Sequence, residues 1–283
     1  MRLSWKVAVT AIGAIIIGGS ATALSMYLMQ RQKLADELHV NRTRAEDGDA
    51  VGQYDLASMY YYGRGLPEDK LQAIQWYRKA ADQNYPLAEL GLGLIYRYGQ
   101  GVSQDHAAAL RWFNRAANHG NARAETEIGL MYHYGFSVAK DDPEALRWLH
   151  KATDQSDPSA QTQLGYMYRH GEGVPHDDAE AVRWFRLAAA QGYARGQAWL
   201  GFMMCSGYGI PRDTAQGRSW ILKAAQQGDD YALGTVSSRL TSIKEAVLGI
   251  KFFGGALMCI GFIPTVKTRR HSANCKFAVV GFF

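Results

Sequence analysis

Apolar and small residues recur along this chain at a fixed interval of 36 residues. In the first half of each interval a large apolar residue is followed at once by a small one, as in Leu92–Gly93 and Leu164–Gly165. A second apolar stripe has alanine three residues before each of the first four tryptophans and four residues after all five, and this spacing predicts an amphipathic helix. The tryptophans lie at Trp76, Trp112, Trp148, Trp184 and Trp220. A period of this length indicates stacked structural units.

Glycine and aspartate separate the two predicted helices of each unit. Glycine favours the left-handed residue that ends a helix, and it recurs at Gly63, Gly99, Gly135, Gly171 and Gly207. Aspartate favours the N-cap of the next helix, and it recurs at Asp69, Asp105, Asp141, Asp177 and Asp213. Each unit is therefore predicted to be a helix hairpin with a tryptophan wedge. One hairpin cannot bury both apolar stripes, so the predicted fold is all-α, a right-handed α-solenoid of five to six hairpins.

The repeated segment, for example YRYGQGVSQDHAAALRWFNRAANHGN from Tyr96 to Asn121, resembles the Sel-1-like repeat, a relative of the tetratricopeptide repeat. The resemblance covers five units within residues 45–233 and a degenerate sixth that begins near Asp230. It implies a solenoid adaptor that holds other proteins together. Some secreted relatives carry two cysteines per repeat, but this chain has only Cys205, Cys259 and Cys275, so that disulfide framework does not transfer.

An apolar segment precedes the repeats. No charged residue occurs from Val7 to Met29, and about 20 helical residues span a bilayer. Residues 1–30 are therefore predicted to be a transmembrane signal anchor, with residues 31–44 as a linker. The alternative is a signal peptide cleaved near Ala23, which would make the protein secreted or periplasmic.

A second apolar segment, residues 246–266, follows a linker or degenerate repeat at residues 234–245, and it predicts a second transmembrane helix. The alternative is an apolar helix that caps the array. Residues 267–283 form a basic tail, and positive charge beside a span marks the cytoplasmic side. The predicted location is therefore a bacterial inner membrane with the repeats on the periplasmic side.

Charge and side-chain chemistry favour binding over catalysis. Residues 45–233 carry 18 Lys and Arg against 23 Asp and Glu, a net charge of −5, which argues against nucleic acid as a partner. No residue pattern indicates a metal site or a cofactor. Ser137 and Lys140 match the SxxK motif of acyl-transfer enzymes, but the match falls in a repeat loop. The sequence therefore predicts that the protein is not an enzyme.

The candidate binding residues lie at the ends of the first helices, where a concave surface would carry aromatic and cationic side chains suited to an extended peptide. They are Tyr61, Tyr62, Arg97, Tyr98, His133, Tyr134, Arg169 and His170. The alternative for the tyrosines is packing between repeats. The leading hypothesis is a membrane-anchored scaffold that binds a protein or peptide partner. The alternatives are a secreted or envelope hydrolase of cell-wall material and a regulatory sensor of a peptide or wall fragment. The sequence leaves the oligomeric state open.

Overall fold

The computed structural model describes residues 21–230, 232 and 234, and the regular structure of this part is entirely helical. The chain divides after Gln155 into two compact units. Unit 1 contains α1 (Ala21–Glu46), α2 (Ala50–Tyr62), α3 (Lys70–Asp82), α4 (Pro86–Tyr98), α5 (His106–Asn118), α6 (Ala122–Tyr134) and α7 (Asp142–Asp154). Unit 2 contains α8 (Pro158–His170), α9 (Asp178–Ala190), α10 (Ala194–Ser206) and α11 (Thr214–Gln226).

Each repeat is a hairpin of a first helix and a second helix that pack against each other. The pairs are α2 with α3, α4 with α5 and α6 with α7 in unit 1, and α8 with α9 and α10 with α11 in unit 2. Successive hairpins within a unit also pack together, because each second helix contacts the next first helix. The predicted all-α hairpin repeat is confirmed, and the handedness of the superhelix stays a prediction.

The helix ends follow the sequence prediction closely. The glycine after each first helix has a left-handed φ, for example 66° at Gly63 and 76° at Gly207. The aspartate before each second helix accepts hydrogen bonds from backbone N–H groups of the first turn, as Asp69 does from Leu71 and Gln72. These caps satisfy N–H groups that the helix leaves unpaired, and they fix where each second helix begins.

The residue after each tryptophan occupies the core, whereas the tryptophans are only partly buried, except for the buried Trp184. These buried residues are Tyr77, Phe113, Leu149, Phe185 and Ile221. Phe113 packs so closely on α4 that a Cβ at Gly93 would lie 2.3 Å from its ring, so the small residue there is a steric requirement. Trp76 is only partly buried, and the Lys79 ammonium lies 3.8 Å from its ring centroid. The predicted tryptophan wedge is therefore incomplete: Trp76 and Trp112 pack against the edge of the core, and the residue after each tryptophan fills its interior.

Residues 31–44, interpreted above as a linker, are helical and belong to α1. Leu34 stands 36 residues before Lys70, the first residue of α3. Gly65 lies beside Leu34 as Gly101 lies beside Lys70, so the part of α1 from Leu34 onward takes the place of a second helix before the first repeat. Its buried positions include Asn41 and Ala45. This half-repeat covers the apolar face that α2 would otherwise expose.

The two predicted membrane segments lie mostly or wholly outside the described residues. Within the described part of the chain, no helix is long and apolar enough to cross a membrane. The structure describes only the last third of the first segment, as the start of α1, and none of residues 246–266. At the other end of the repeats, Ala232 is fully buried beside Ile221 and Ala224, which fits the small-residue register of a sixth first helix.

Candidate interaction surface on the first helices

The predicted binding residues occupy two equivalent positions, named here the inner and outer columns of the repeat alignment, at the ends of the first helices, and the two positions differ in exposure. The outer column is exposed, since Tyr62, Tyr98 and Tyr134 keep 70%, 57% and 51% of their accessible surface. His170 in unit 2 is exposed at the equivalent position. The inner column lies deeper and consists of Tyr61, Arg97, His133 and Arg169. Only the outer column is therefore exposed enough to meet a ligand without rearrangement.

Arg97 is buried in an ion-pair network inside unit 1. Its guanidinium donates to Glu127, which also pairs with Arg123 at 3.0 Å. Burial lowers the pKa of Arg97, and the guanidinium also lies over the rings of Tyr98 and Phe136, at 5.3 and 5.8 Å. The network joins α4 to α6, so this arginine supports the surface rather than presenting a charge on it.

The other inner-column residues are likewise engaged within their own units. His133 is 3% exposed, and its Nδ1 lies 2.7 Å from a carboxylate oxygen of Asp142. Arg169 lies 3.4 Å from Asp178, and its guanidinium covers the ring of Tyr208 at 4.4 Å. These contacts hold the end of each first helix against the loop and the start of the second helix.

Unit 2 carries an aromatic cluster that the repeat pattern does not predict. The ring of Tyr166 lies 4.2 Å from His170 and 5.7 Å from Trp199, measured between centroids. Trp199 meets His170 edge to face at 6.3 Å and Phe202 at 5.7 Å. Partial burial lowers the pKa of His170 below its usual value. The cluster joins α8 and α10 and includes the exposed His170 ring.

A departure within one repeat column could have identified this cluster. Trp199 lies outside the regular tryptophan column, at a position occupied elsewhere by Asp55, Gly91, Glu127 and Gln163. A large aromatic residue that replaces a polar or small one on the first helix indicates a local specialisation. The periodic pattern hides such a residue, because periodicity draws attention to what the repeats share.

The SxxK match does not form the arrangement that acyl transfer requires. Ser137 lies in the loop after α6 with φ 63°, where the other repeats place a glycine, and Lys140 pairs with Asp142 at 3.3 Å. Ser137 borders an open pocket of about 620 Å³, which is also lined by Tyr96, Val102, Ser103, Gln104, Asp105, His106 and Ala107. Within residues 24–230, 232 and 234, no three potential metal ligands converge.

The sequence and the fold both place this chain among repeat proteins. The structure is similar to a Sel1 repeat protein from Oxalobacter formigenes, with 32% identity, a TM-score of 0.61, and coverage of 71% of this chain and 89% of that one. The protective antigen c5321 of uropathogenic Escherichia coli is 33% identical over 75% of this chain and 52% of its own, with a TM-score of 0.43.

The immunity protein Pa5087 from Pseudomonas aeruginosa shares the fold at 20% identity, with a TM-score of 0.53 over 72% of this chain and 83% of that one. No curated protein sequence matches the chain significantly. The Sel1 repeat model matches five consecutive segments, at residues 50–85, 86–121, 122–157, 158–193 and 194–229. These matches cover more than half of the sequence, and the chain therefore belongs to the Sel1 repeat family.

Proposed function

We propose that this protein is a membrane-anchored scaffold that binds a protein or peptide partner through the first helices of unit 2. Sel1 repeat proteins mediate protein–protein interactions, and the finer assignment rests on one observation. That observation is the cluster of Tyr166, His170 and Trp199, which places aromatic side chains together on α8 and α10. Aromatic residues dominate the energetics of protein interfaces.

The cluster is held in place before any partner arrives. Trp199 stacks on the buried ring of Phe185, with centroids 5.5 Å apart and planes 8° from parallel. Because the indole is already packed, binding would cost little side-chain entropy. His170 offers a polar ring beside the apolar ones, so the surface suits a segment with both an apolar side chain and a hydrogen-bonding group.

A substitution at the exposed edge of this cluster tests the proposal. In pull-downs from solubilised membranes, His170→Glu should sharply reduce recovery of a partner that the unchanged protein retains. The matched control is Leu187→Glu, which adds the same charge on a second helix of the same unit, at a side chain that is 43% exposed. Equal recovery with both variants would remove partner binding from the first helices of unit 2.

Membrane anchoring is the second part of the proposal. It is supported by the uncharged sequence from Val7 to Met29 and by the exposed apolar side chains of Leu24, Met26, Leu28 and Met29 at the start of α1. Retention in the membrane pellet after alkaline carbonate, with an intact mass that includes the first 23 residues, is expected. A shortened mass and release into the supernatant would instead indicate cleavage near Ala23.

A further inference from the structure

The start of α1 projects beyond the loop edge of unit 1. The loop after α2 crosses α1 at Leu34, and Arg64 in that loop pairs with Glu37. The next loop crosses α3 at Lys70, which is the first residue of that helix. In α1 the equivalent of Lys70 is Leu34, but the helix already begins at Ala21. Residues 21–33 therefore extend about 20 Å beyond the loop crossing, at 1.5 Å per residue.

The outer part of this projection, residues 21–29, is uncharged and carries exposed apolar side chains. Leu24, Met26, Leu28 and Met29 are 52–69% exposed, and a rotation of about 100° per residue spreads them over about 200° of the helix circumference. The preceding sequence continues without charge back to Val7. An uncharged helix with exposed apolar side chains over so wide an arc fits a hydrocarbon environment, whereas a helix that lies on a protein surface has one narrower apolar stripe.

Three exposed tyrosines lie on the same edge of unit 1. Tyr62, Tyr98 and Tyr134 each immediately precede the loop glycine of their repeat, so they stand at the level from which α1 projects. Each ring is supported by its inner-column neighbour: Tyr61 at 4.8 Å, the Arg97 guanidinium at 5.3 Å and His133 at 4.6 Å. Tyrosine is enriched where proteins meet lipid headgroups, because its ring is apolar and its hydroxyl is polar.

We propose that the loop edge of unit 1 rests on the bilayer surface, with Tyr62, Tyr98 and Tyr134 as interfacial contacts. This inference rests on the proposed anchoring by the N-terminal segment. From Leu34 to Met29 the helix rises about 8 Å. The headgroup region of one leaflet is about 5–8 Å thick. The polar residues between Met29 and Leu34, Gln30 to Lys33, therefore span the headgroup region. The edge that carries the tyrosines lies at the outer limit of that region.

A bilayer accounts for the tyrosines better than a protein partner does. The three rings stand one per repeat, and the intervening loops carry polar residues such as Arg64 and Gln100, so the edge has no continuous apolar groove for a helix. The apolar end of α1 and the tyrosines also face the same side of unit 1. One flat lipid surface can contact both features at once.

Depth-dependent quenching tests this orientation in the full chain. Cys205, Cys259 and Cys275 are replaced by alanine, and single cysteines at Met26, Tyr98 or Asn118 receive an environment-sensitive fluorophore. Asn118 is the matched control, since it is exposed at the opposite end of α5. The proteins are reconstituted in phosphatidylcholine vesicles with a headgroup spin-labelled lipid, and circular dichroism verifies their helix content.

Loss of emission with a blue-shifted maximum is expected at 98, and no change is expected at 118. A buried label at 26 with an unquenched label at 98 would overturn the inference while leaving the anchor in place. Labels that remain unquenched and unshifted at both 26 and 98 would overturn the anchoring as well. Equal quenching at 98 and 118 would show that unit 1 lies on the bilayer in another orientation and would also overturn the inference.

Discussion

The first helices of the two units solve the same packing problem with different chemistry. In unit 1, α2 buries the amide of Gln53, but α4 and α6 bury carboxylates, each beside at least one cation; these are Glu89, Glu125 and Glu127. In unit 2 the positions equivalent to Glu125 carry Gln161 and Gln197, and each accepts a hydrogen bond at 2.9 Å from a glutamine 30 residues later. Position 127 of unit 1 corresponds to Trp199 in the last repeat.

The comparison shows that equivalent buried polar positions in the repeats have side chains of the same shape, glutamate or glutamine, but of different charge. Glu125 is accompanied by Lys151 at 2.9 Å, whereas Gln161 has Leu187 at the position that corresponds to Lys151. A buried carboxylate needs a paired cation, and a buried amide needs only hydrogen bonds. Charge and partner have therefore changed together between repeats of one chain.

The largest loss of stability is expected when the buried Arg97–Glu127 ion pair of unit 1 is broken. Glu127→Leu removes the partner of the buried Arg97 and should lower the free energy of unfolding by about 3–5 kcal/mol, as measured by urea denaturation. The double variant Arg97→Leu/Glu127→Leu removes both charges and should recover much of the loss. Equal destabilisation of the single and double variants would show that the ion pair is not the source.

The next largest change in stability is expected when the Glu125–Lys151 ion pair of unit 1 is introduced at the equivalent positions of unit 2. Gln161→Glu places a carboxylate at a 5% exposed position where Leu187 replaces the lysine that accompanies Glu125, and it should cost about 3 kcal/mol near pH 7. Adding Leu187→Lys reproduces the Glu125–Lys151 pair and should restore most of that stability. Denaturation curves of the single, double and Leu187→Lys proteins measure the coupling, and additive effects would contradict the proposed equivalence.

The reverse change in unit 1 should have a smaller effect. Glu89 pairs with Arg115 at 3.1 Å and with His119 at 2.8 Å. Glu89→Gln keeps the shape and exchanges charged hydrogen bonds for neutral ones, so a loss of about 1 kcal/mol is expected. Glu89→Gln/His119→Gln recreates the amide pair of the other repeats and should melt closer to the unchanged protein. A further drop in melting temperature would show that repeats are not interchangeable at this position.

The smallest expected effect is the change in stability with pH that comes from protonation of His170 in unit 2. Desolvation lowers the pKa of His170, so the unfolded chain binds this proton more readily than the folded one. The contribution of this group to stability is therefore complete above the ordinary pKa of 6.5 and declines as the pH falls below it. Titration by NMR should place the His170 pKa below 6.5, and Tyr166→Ala should move it upward. A value above 6.5 in the unchanged protein would contradict the burial argument.

The periodic residues predicted most of the hairpin fold. Small and apolar columns located the helix contacts, and glycine and aspartate located the helix ends, because each of these residues acts through local geometry. The tryptophan column located the core-facing side of each second helix but not its deepest position, since the more buried column beside it varies among Tyr77, Phe113 and Leu149. A core position that accepts any large apolar residue is hard to find in the sequence, because the residue type differs from repeat to repeat.

The candidate site was harder to predict, because burial at the ends of the first helices depends on contacts between repeats. Arg97 looks exposed from its column, but Glu127 lies 30 residues away and only the packed hairpins bring them together. The half-repeat in α1 was also hard to predict from the sequence, for a related reason. Asn41 stands where Tyr77 stands in the first repeat, so the apolar signature is missing although the helix packs in the same register.

The unbroken course of α1 has a mechanical consequence. From Ala21 to Glu46 the helix contains no proline or glycine, and its second half is locked to α2, where Gly52 leaves room for the Arg44 backbone. A load applied to unit 1 would therefore travel along this helix to its apolar tip without meeting a hinge. Tilting the tip and tilting unit 1 are then one motion, and a flexible tether at this position would have uncoupled them.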